Sequence, residues 1–159
     1  MDSITETVIF HLEFDSVYWD RPPWIKIFID DEIKFDDAIT TSNSIVKFSH
    51  KLRCGQDYQL KIERSGKTDD QCVVDGLLRK QDQYIIIQKV VIDMIDIKNL
   101  IDDRCWYEPD YSRSWATEQL ENDQILESKI IGETWLSHNG TWRFYFSSPI
   151  YQFVIKQFR

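Results

Sequence analysis

The sequence predicts an all-β protein, an antiparallel jelly roll or β-sandwich carrying a mixed loop–helix insertion. Three observations lead there. Apolar and polar residues alternate over 8–14, 25–29, 58–62 and 141–146, the period of a strand with one face buried. Turn dipeptides such as Asp30-Asp31, Gly55-Gln56, Asp75-Gly76 and Asn139-Gly140 recur at short spacing. No βα unit repeats, which favours a sandwich over an α/β fold.

The elements follow in order. Val8, Phe10, Leu12 and Phe14 form one strongly apolar face of a first strand. Pro22-Pro23 ends it, because proline donates no ladder hydrogen bond. Ile25, Ile27 and Ile29 resume the alternation, Asp30-Asp31 supply a turn, and Ile33 and Phe35 mark a short returning strand. Further strands are expected at Ile45–Phe48 and Tyr58–Ile62, with a polar loop over 65–83 and a short extended piece at Cys72–Val74. The β-branched run Tyr84–Ile97 is the most strand-like segment, and Ile85, Ile87, Val91 and Ile95 share one parity. Residues 98–133 lose the period of two and read as an irregular insertion, with two or three helical turns over Ala116–Leu126. Trp135–Phe146 reads as a hairpin closed by Asn139-Gly140, a dipeptide suited to the positive φ angles of a type I′ turn. Tyr151, Phe153 and Ile155 begin a last strand after Ser148-Pro149.

The chain has 159 residues, so residues 1–159 are expected to form a single β-sandwich domain with the insertion at about 98–133. Its aromatic content of 14% and hydrophobic content of 42% argue against disorder. A formal charge of −8 disfavours phosphate backbones, so no nucleic-acid partner is expected. The N-terminal stretch shows neither a basic region nor a long apolar run, so no secretory signal and no membrane insertion are expected. Cys54, Cys72 and Cys105 show no metal-ligand spacing and fit buried free thiols, although one disulfide stays open.

Chemistry by a placed nucleophile is absent from the pattern. His11, His50 and His138 are scattered, and no Ser or Cys sits in a nucleophile turn. The expectation is a protein without enzymatic activity, which binds a surface through loops on a rigid scaffold. Two kinds of loop residue are candidates. Asp69, Asp70 and Asp75 lie in one Gly-flanked loop and offer hard oxygen ligands for Ca2+; an acidic, solvated loop is the alternative. Trp106, Tyr107, Tyr111 and Trp115 cluster in the insertion and offer flat apolar rings for a sugar face or a protein interface; capping the sandwich end is the alternative. The carboxylate run Asp30–Asp37 reads as a solvated turn, with a cation site or a partner patch as the alternatives.

Several blocks together carry a family resemblance. Pro23–Asp31, Leu52–Gly55, Tyr58–Ile62, Lys67–Asp70, Asp75-Gly76 and Val91–Asp96 follow one another in an order that resembles the calcium-dependent xylan-binding type of carbohydrate-binding module, a small jelly roll. The chain also resembles marine cyanophage proteins that share that module, and there the likeness extends to Tyr107–Tyr111, Asn139–Trp142 and Ser148–Tyr151. Asp69-Asp70 stands where the module has Asn-Asp, and Met94 stands where it has a Gly. The resemblance implies a phage virion protein acting in attachment or in capsid or tail decoration. It further implies weak Ca2+ binding through Asp69, Asp70 and Asp75, other virion proteins and cell-surface polysaccharide as partners, and assembly as oligomers or on a larger particle. A purely structural virion subunit and a small carbohydrate-active enzyme are the alternatives.

Overall fold

The computed structural model describes residues 4–75 and 78–157. In chain order its elements are β1 (Thr5–Val17), β2 (Trp24–Ile29), β3 (Glu32–Ala38), β4 (Ser44–Arg53), β5 (Asp57–Ser65), a 3₁₀ turn (Asp69–Gln71), β6 (Val73–Asp75), β7 (Leu78–Gln81), β8 (Tyr84–Ile92) and β9 (Ile95–Asp96). There follow α1 (Lys98–Arg104), β10 (Trp106–Pro109), α2 (Arg113–Glu121), β11 (Ile130–Ile131), β12 (Trp135–Leu136), β13 (Gly140–Ser147) and α3 (Ile150–Gln157). Two antiparallel sheets pack as a sandwich. One runs β12-β8-β1-β4 with β9 beside β8, the other β11-β10-β13-β5-β2-β3, and β6-β7 form a separate ribbon.

The alternation in the sequence explains the core. Val8, Phe10, Leu12 and Phe14 of β1 are fully buried, as are Ile25 and Ile27 of β2 and Leu60 and Ile62 of β5. Burying each such side chain stabilises the fold by about 1.5–3 kcal/mol. Phe10 stacks on Phe48 within its own sheet at 5.0 Å and meets Phe146 of the opposite sheet at 5.8 Å, so one ring joins both layers. Asp30, at φ 51°, turns β2 into β3 and accepts the amide of Gln59. The acidic run 30–37 is therefore a hairpin at the edge of the second sheet.

Four local expectations are corrected. The parity of β8 changes along its length: Ile85 and Ile87 are buried, then Val90 and Ile92. A bulge causes this, because Glu13 faces Lys89 while Phe14 faces Ile87, leaving Gln88 as the extra residue. The segment Trp135–Phe146 is not a hairpin. β12 pairs with β8 in one sheet and β13 pairs with β5 and β10 in the other, so the chain crosses between layers at 137–139. The turn with positive φ at both central residues lies instead at Asp93-Met94, joining β8 to β9. The insertion holds α1 and α2, and the helix expected at Ala116–Leu126 is α2, displaced toward the N-terminus to Arg113–Glu121 because the Ser112 hydroxyl accepts the Trp115 amide and caps it there. Tyr151–Ile155 belongs to a helix, α3, in which Ile150 and Val154 are buried four residues apart and Phe153 meets Phe144 at 6.2 Å. Of the three cysteines, all free, only Cys105 is buried; Cys54 and Cys72 are half-buried.

Candidate functional site

The site lies where the crossing segment 137–139 meets the start of the 66–83 segment. Two side chains lock these together. The Asn139 Oδ1 accepts the Lys67 amide at 3.0 Å and an Arg64 guanidinium N–H at 2.9 Å, while its Nδ2 donates to the Lys67 carbonyl at 2.8 Å. Arg64 is 1% exposed and donates to the Gln83 and Leu136 carbonyls as well. Burial pulls its pKa down to about 10, and its hydrogen bonds to fixed acceptors are what make a buried guanidinium tolerable. Lys67 Nζ donates to Asp82 at 2.7 Å and to the Ser137 carbonyl at 2.6 Å.

Over this base stands the insertion. Tyr107 runs along β10 into the core, 1% exposed, and its hydroxyl donates to the His138 carbonyl. Asp110 donates its amide to the Asn139 carbonyl at 2.6 Å. The chain then leaves the sheet, and α2 brings Trp115 back. Tyr111 and Trp115 stack at 5.2 Å with 21° between planes, and the His138 ring packs at 4.9 Å from Tyr111 and 4.4 Å from Trp115. The Ser114 hydroxyl donates to Asp69 at 2.5 Å, tying α2 to the 3₁₀ turn. Between them lies a cavity of about 430 Å³, lined by Trp115 and His138 together with Lys67, Asp69 and Cys72. Asp110 and Asn139 also line a second groove, shared with Glu63 and Thr141.

The sequence candidates divide accordingly. Trp115 and Asp69 come together at the cavity, and Tyr111 stacks on Trp115 behind it without lining it. Tyr107 is corrected: its inward parity in β10, opposite buried Trp142, makes it core and removes it from any exposed platform. Burial, the largest cause, also raises its phenol pKa. Trp106 faces the other way, on the outer surface of the second sheet. There its ring meets Tyr145 at 5.3 Å, Lys129 Nζ sits 4.4 Å from its centroid, and its indole N–H donates to Glu108. His138, Asp82 and Glu118 were missed, because they reach the site through tertiary contact and no local motif marks them.

Among the described residues the loop carboxylates are engaged by neighbouring side chains. The Ser114 and Ser112 hydroxyls hold the Asp69 carboxyl below its ordinary pKa. The Thr68 hydroxyl, then Gln71, does the same for Asp70, whose Oδ1 lies 3.9 Å from the Arg21 guanidinium. The side chain of Asp75 and all of Gly76 lie outside the described residues, and among those described no group of three or more His, Cys, Asp or Glu is placed to hold a metal ion. As described, Asp69 and Asp70 alone do not fit the Ca2+ site that the resemblance implies.

Comparison with solved structures settles the architecture. A solved structure, "vCBM60 in complex with galactobiose", superposes with a TM-score of 0.53 over 86% of this chain and 96% of that one, at 7% identity. The fold is like that of a carbohydrate-binding module. At this identity the likeness concerns the fold alone. No protein-family profile and no curated protein matches the sequence. Among the described residues no helix is long and apolar enough to cross a membrane.

Proposed function

We propose that this protein binds a glycan without cleaving it, in the cavity between α2 and the 66–83 segment. One observation carries the reading: Trp115 and His138, packed in a ring cluster with Tyr111, line a cavity of about 430 Å³ together with the polar side chains of Lys67, Asp69 and Asn139. Carbohydrates present both a flat C–H face and a fringe of hydroxyls, so a site for them needs a ring on one side and fixed donors and acceptors on the other. Asn139 and Lys67 are held by their own hydrogen bonds before any ligand arrives, which lowers the ordering cost of binding.

The finer part of the proposal is a place on a phage particle, in attachment or in capsid or tail decoration. It is supported by the blocks shared with cyanophage proteins. A single sugar pocket binds weakly, and many copies on one particle raise avidity without new contacts. The test begins with galactobiose, the sugar in complex with the structural neighbour, and a panel of galactans and xylans in titration calorimetry. Binding that Trp115→Ala weakens about tenfold, a loss of about 1.4 kcal/mol, supports the reading. Affinity unchanged in that variant, or release of reducing sugar from the panel, overturns it. Proteomics of purified particles tests the location, and absence from particles overturns the virion part.

A further inference from the structure

We propose that the cavity holds a second sugar subsite, one helical turn beyond Trp115, with Gln119 as the residue that sets its specificity. This deepens the proposed glycan reading and rests on it. Ser112, Trp115 and Gln119 all line the cavity. Their spacing of three and four residues puts them in one stripe along α2. From the cap to Gln119 the stripe is about 10 Å long, and Gln119 lies about 6 Å beyond Trp115. A stripe of that length is longer than one pyranose ring.

The hydrogen-bonding capacity of the lining is unevenly committed. Asn139, next in the chain to His138, already accepts two hydrogen bonds at Oδ1 and donates one from Nδ2. Lys67 Nζ already donates to Asp82 and to the Ser137 carbonyl. The Ser112 and Ser114 hydroxyls are engaged by Asp69. Gln119 differs. It is half-buried, and its side-chain amide has no hydrogen-bond partner among the described residues. Its backbone is nonetheless fixed, since its carbonyl accepts the Asn122 and Gln124 amides at 3.1 and 2.9 Å. A primary amide offers two donors and an acceptor, which suits the neighbouring hydroxyls of a sugar. A half-buried amide needs such partners, and a second sugar unit supplies them when it displaces water. Val74, 56% exposed and lining the same cavity, adds apolar surface besides the rings. Trp115 therefore holds the C–H face of one unit with little regard to its hydroxyls, and Gln119 reads the hydroxyls of the next.

The experiment compares the methyl glycosides of galactose, xylose and glucose with the matching β-linked disaccharides, by NMR titration for single units and calorimetry for pairs. The best disaccharide is expected to bind about tenfold tighter than its single unit. Gln119→Ala should weaken that disaccharide by about threefold to tenfold, weaken the single unit far less, and narrow the spread among the three disaccharides. Alanine is the better helix former, so α2 keeps its shape in this variant, which circular dichroism checks. If a disaccharide binds no tighter than its single unit while Trp115→Ala weakens both, the second subsite falls and the glycan reading stands. If Gln119→Ala leaves the disaccharide unchanged, or weakens both ligands equally, Gln119 serves no separate subsite and the inference falls. If no sugar binds in a Trp115-dependent way, the glycan reading itself falls.

Discussion

Replacing Gly140 by alanine tests the crossing between the sheets directly. A Cβ at this position would lie 2.4 Å from the Glu108 carbonyl oxygen, 2.8 Å from Pro109 Cα and 2.9 Å from the Tyr107 hydroxyl. Two of these are backbone atoms of β10, paired in register with β13, so no side chain can swing aside to make room. Relief requires opening the end of the β10–β13 ladder. Overpacking a filled site costs about 1–3 kcal/mol, and three contacts this short place the change near the top of that range. About 3 kcal/mol corresponds to a fall in Tm of about 6–12 °C for a domain of this size. Gly55→Ala is the control, since its Cβ meets nothing within 4 Å and only the φ of +87° resists substitution, at about 1–2 kcal/mol. Thermal melts followed by circular dichroism measure both. If Gly140→Ala melts no lower than Gly55→Ala, the close approach of β10 to the crossing segment is wrong.

Met94→Gly should raise stability by about 0.5–1 kcal/mol, because Met94 is 96% exposed at φ 68° and loses no packing; a lower denaturation midpoint in urea would refute this. Arg64→Met should cost about 3 kcal/mol or more, since it strips partners from the buried Gln83 and Leu136 carbonyls and from Asn139; an unchanged melt would show that those acceptors find other donors. Glycan affinity should be the same in excess calcium and in chelator, given where the Asp69 and Asp70 carboxylates are engaged; a chelator-sensitive affinity would show that Asp75 completes a cation site. Cys105, buried and with its thiol pushed up to about 11 mainly by burial, should resist alkylation at pH 8 while half-buried Cys72 reacts, and a glycan in the cavity should slow Cys72, as followed by mass spectrometry.

Strands were legible wherever one face is buried and the other wet. β1 shows this best, with its four apolar residues all inward. The bulge at Gln88 was not, since an extra residue leaves no mark in a run that is apolar on both parities. The Asn139-Gly140 dipeptide has the chemistry of a tight turn, whereas the structure uses the Asn side chain as a clamp and the Gly for close approach. Tyr151–Ile155 alternates and also fits a helical face, and length alone does not separate the two in so short a run. At the site, Tyr111, Trp115 and Asp69 stood out by residue type in loops. Their convergence, and the arrival of His138 from the far end of the chain, required the tertiary fold.

The α2 helix walls the cavity yet buries none of its own residues. Its amides therefore open at far lower free energy than those of the β1 ladder, and exchange with solvent deuterium correspondingly fast. A ligand held between Trp115 and the 66–83 segment couples that opening to its own release. At a hundredfold excess over Kd, lifting the helix requires about 2.7 kcal/mol more, so exchange across 113–121 slows by about a hundredfold while the sandwich core is unaffected. The least anchored helix of the protein thus becomes a local reporter of occupancy, readable without any label on the glycan.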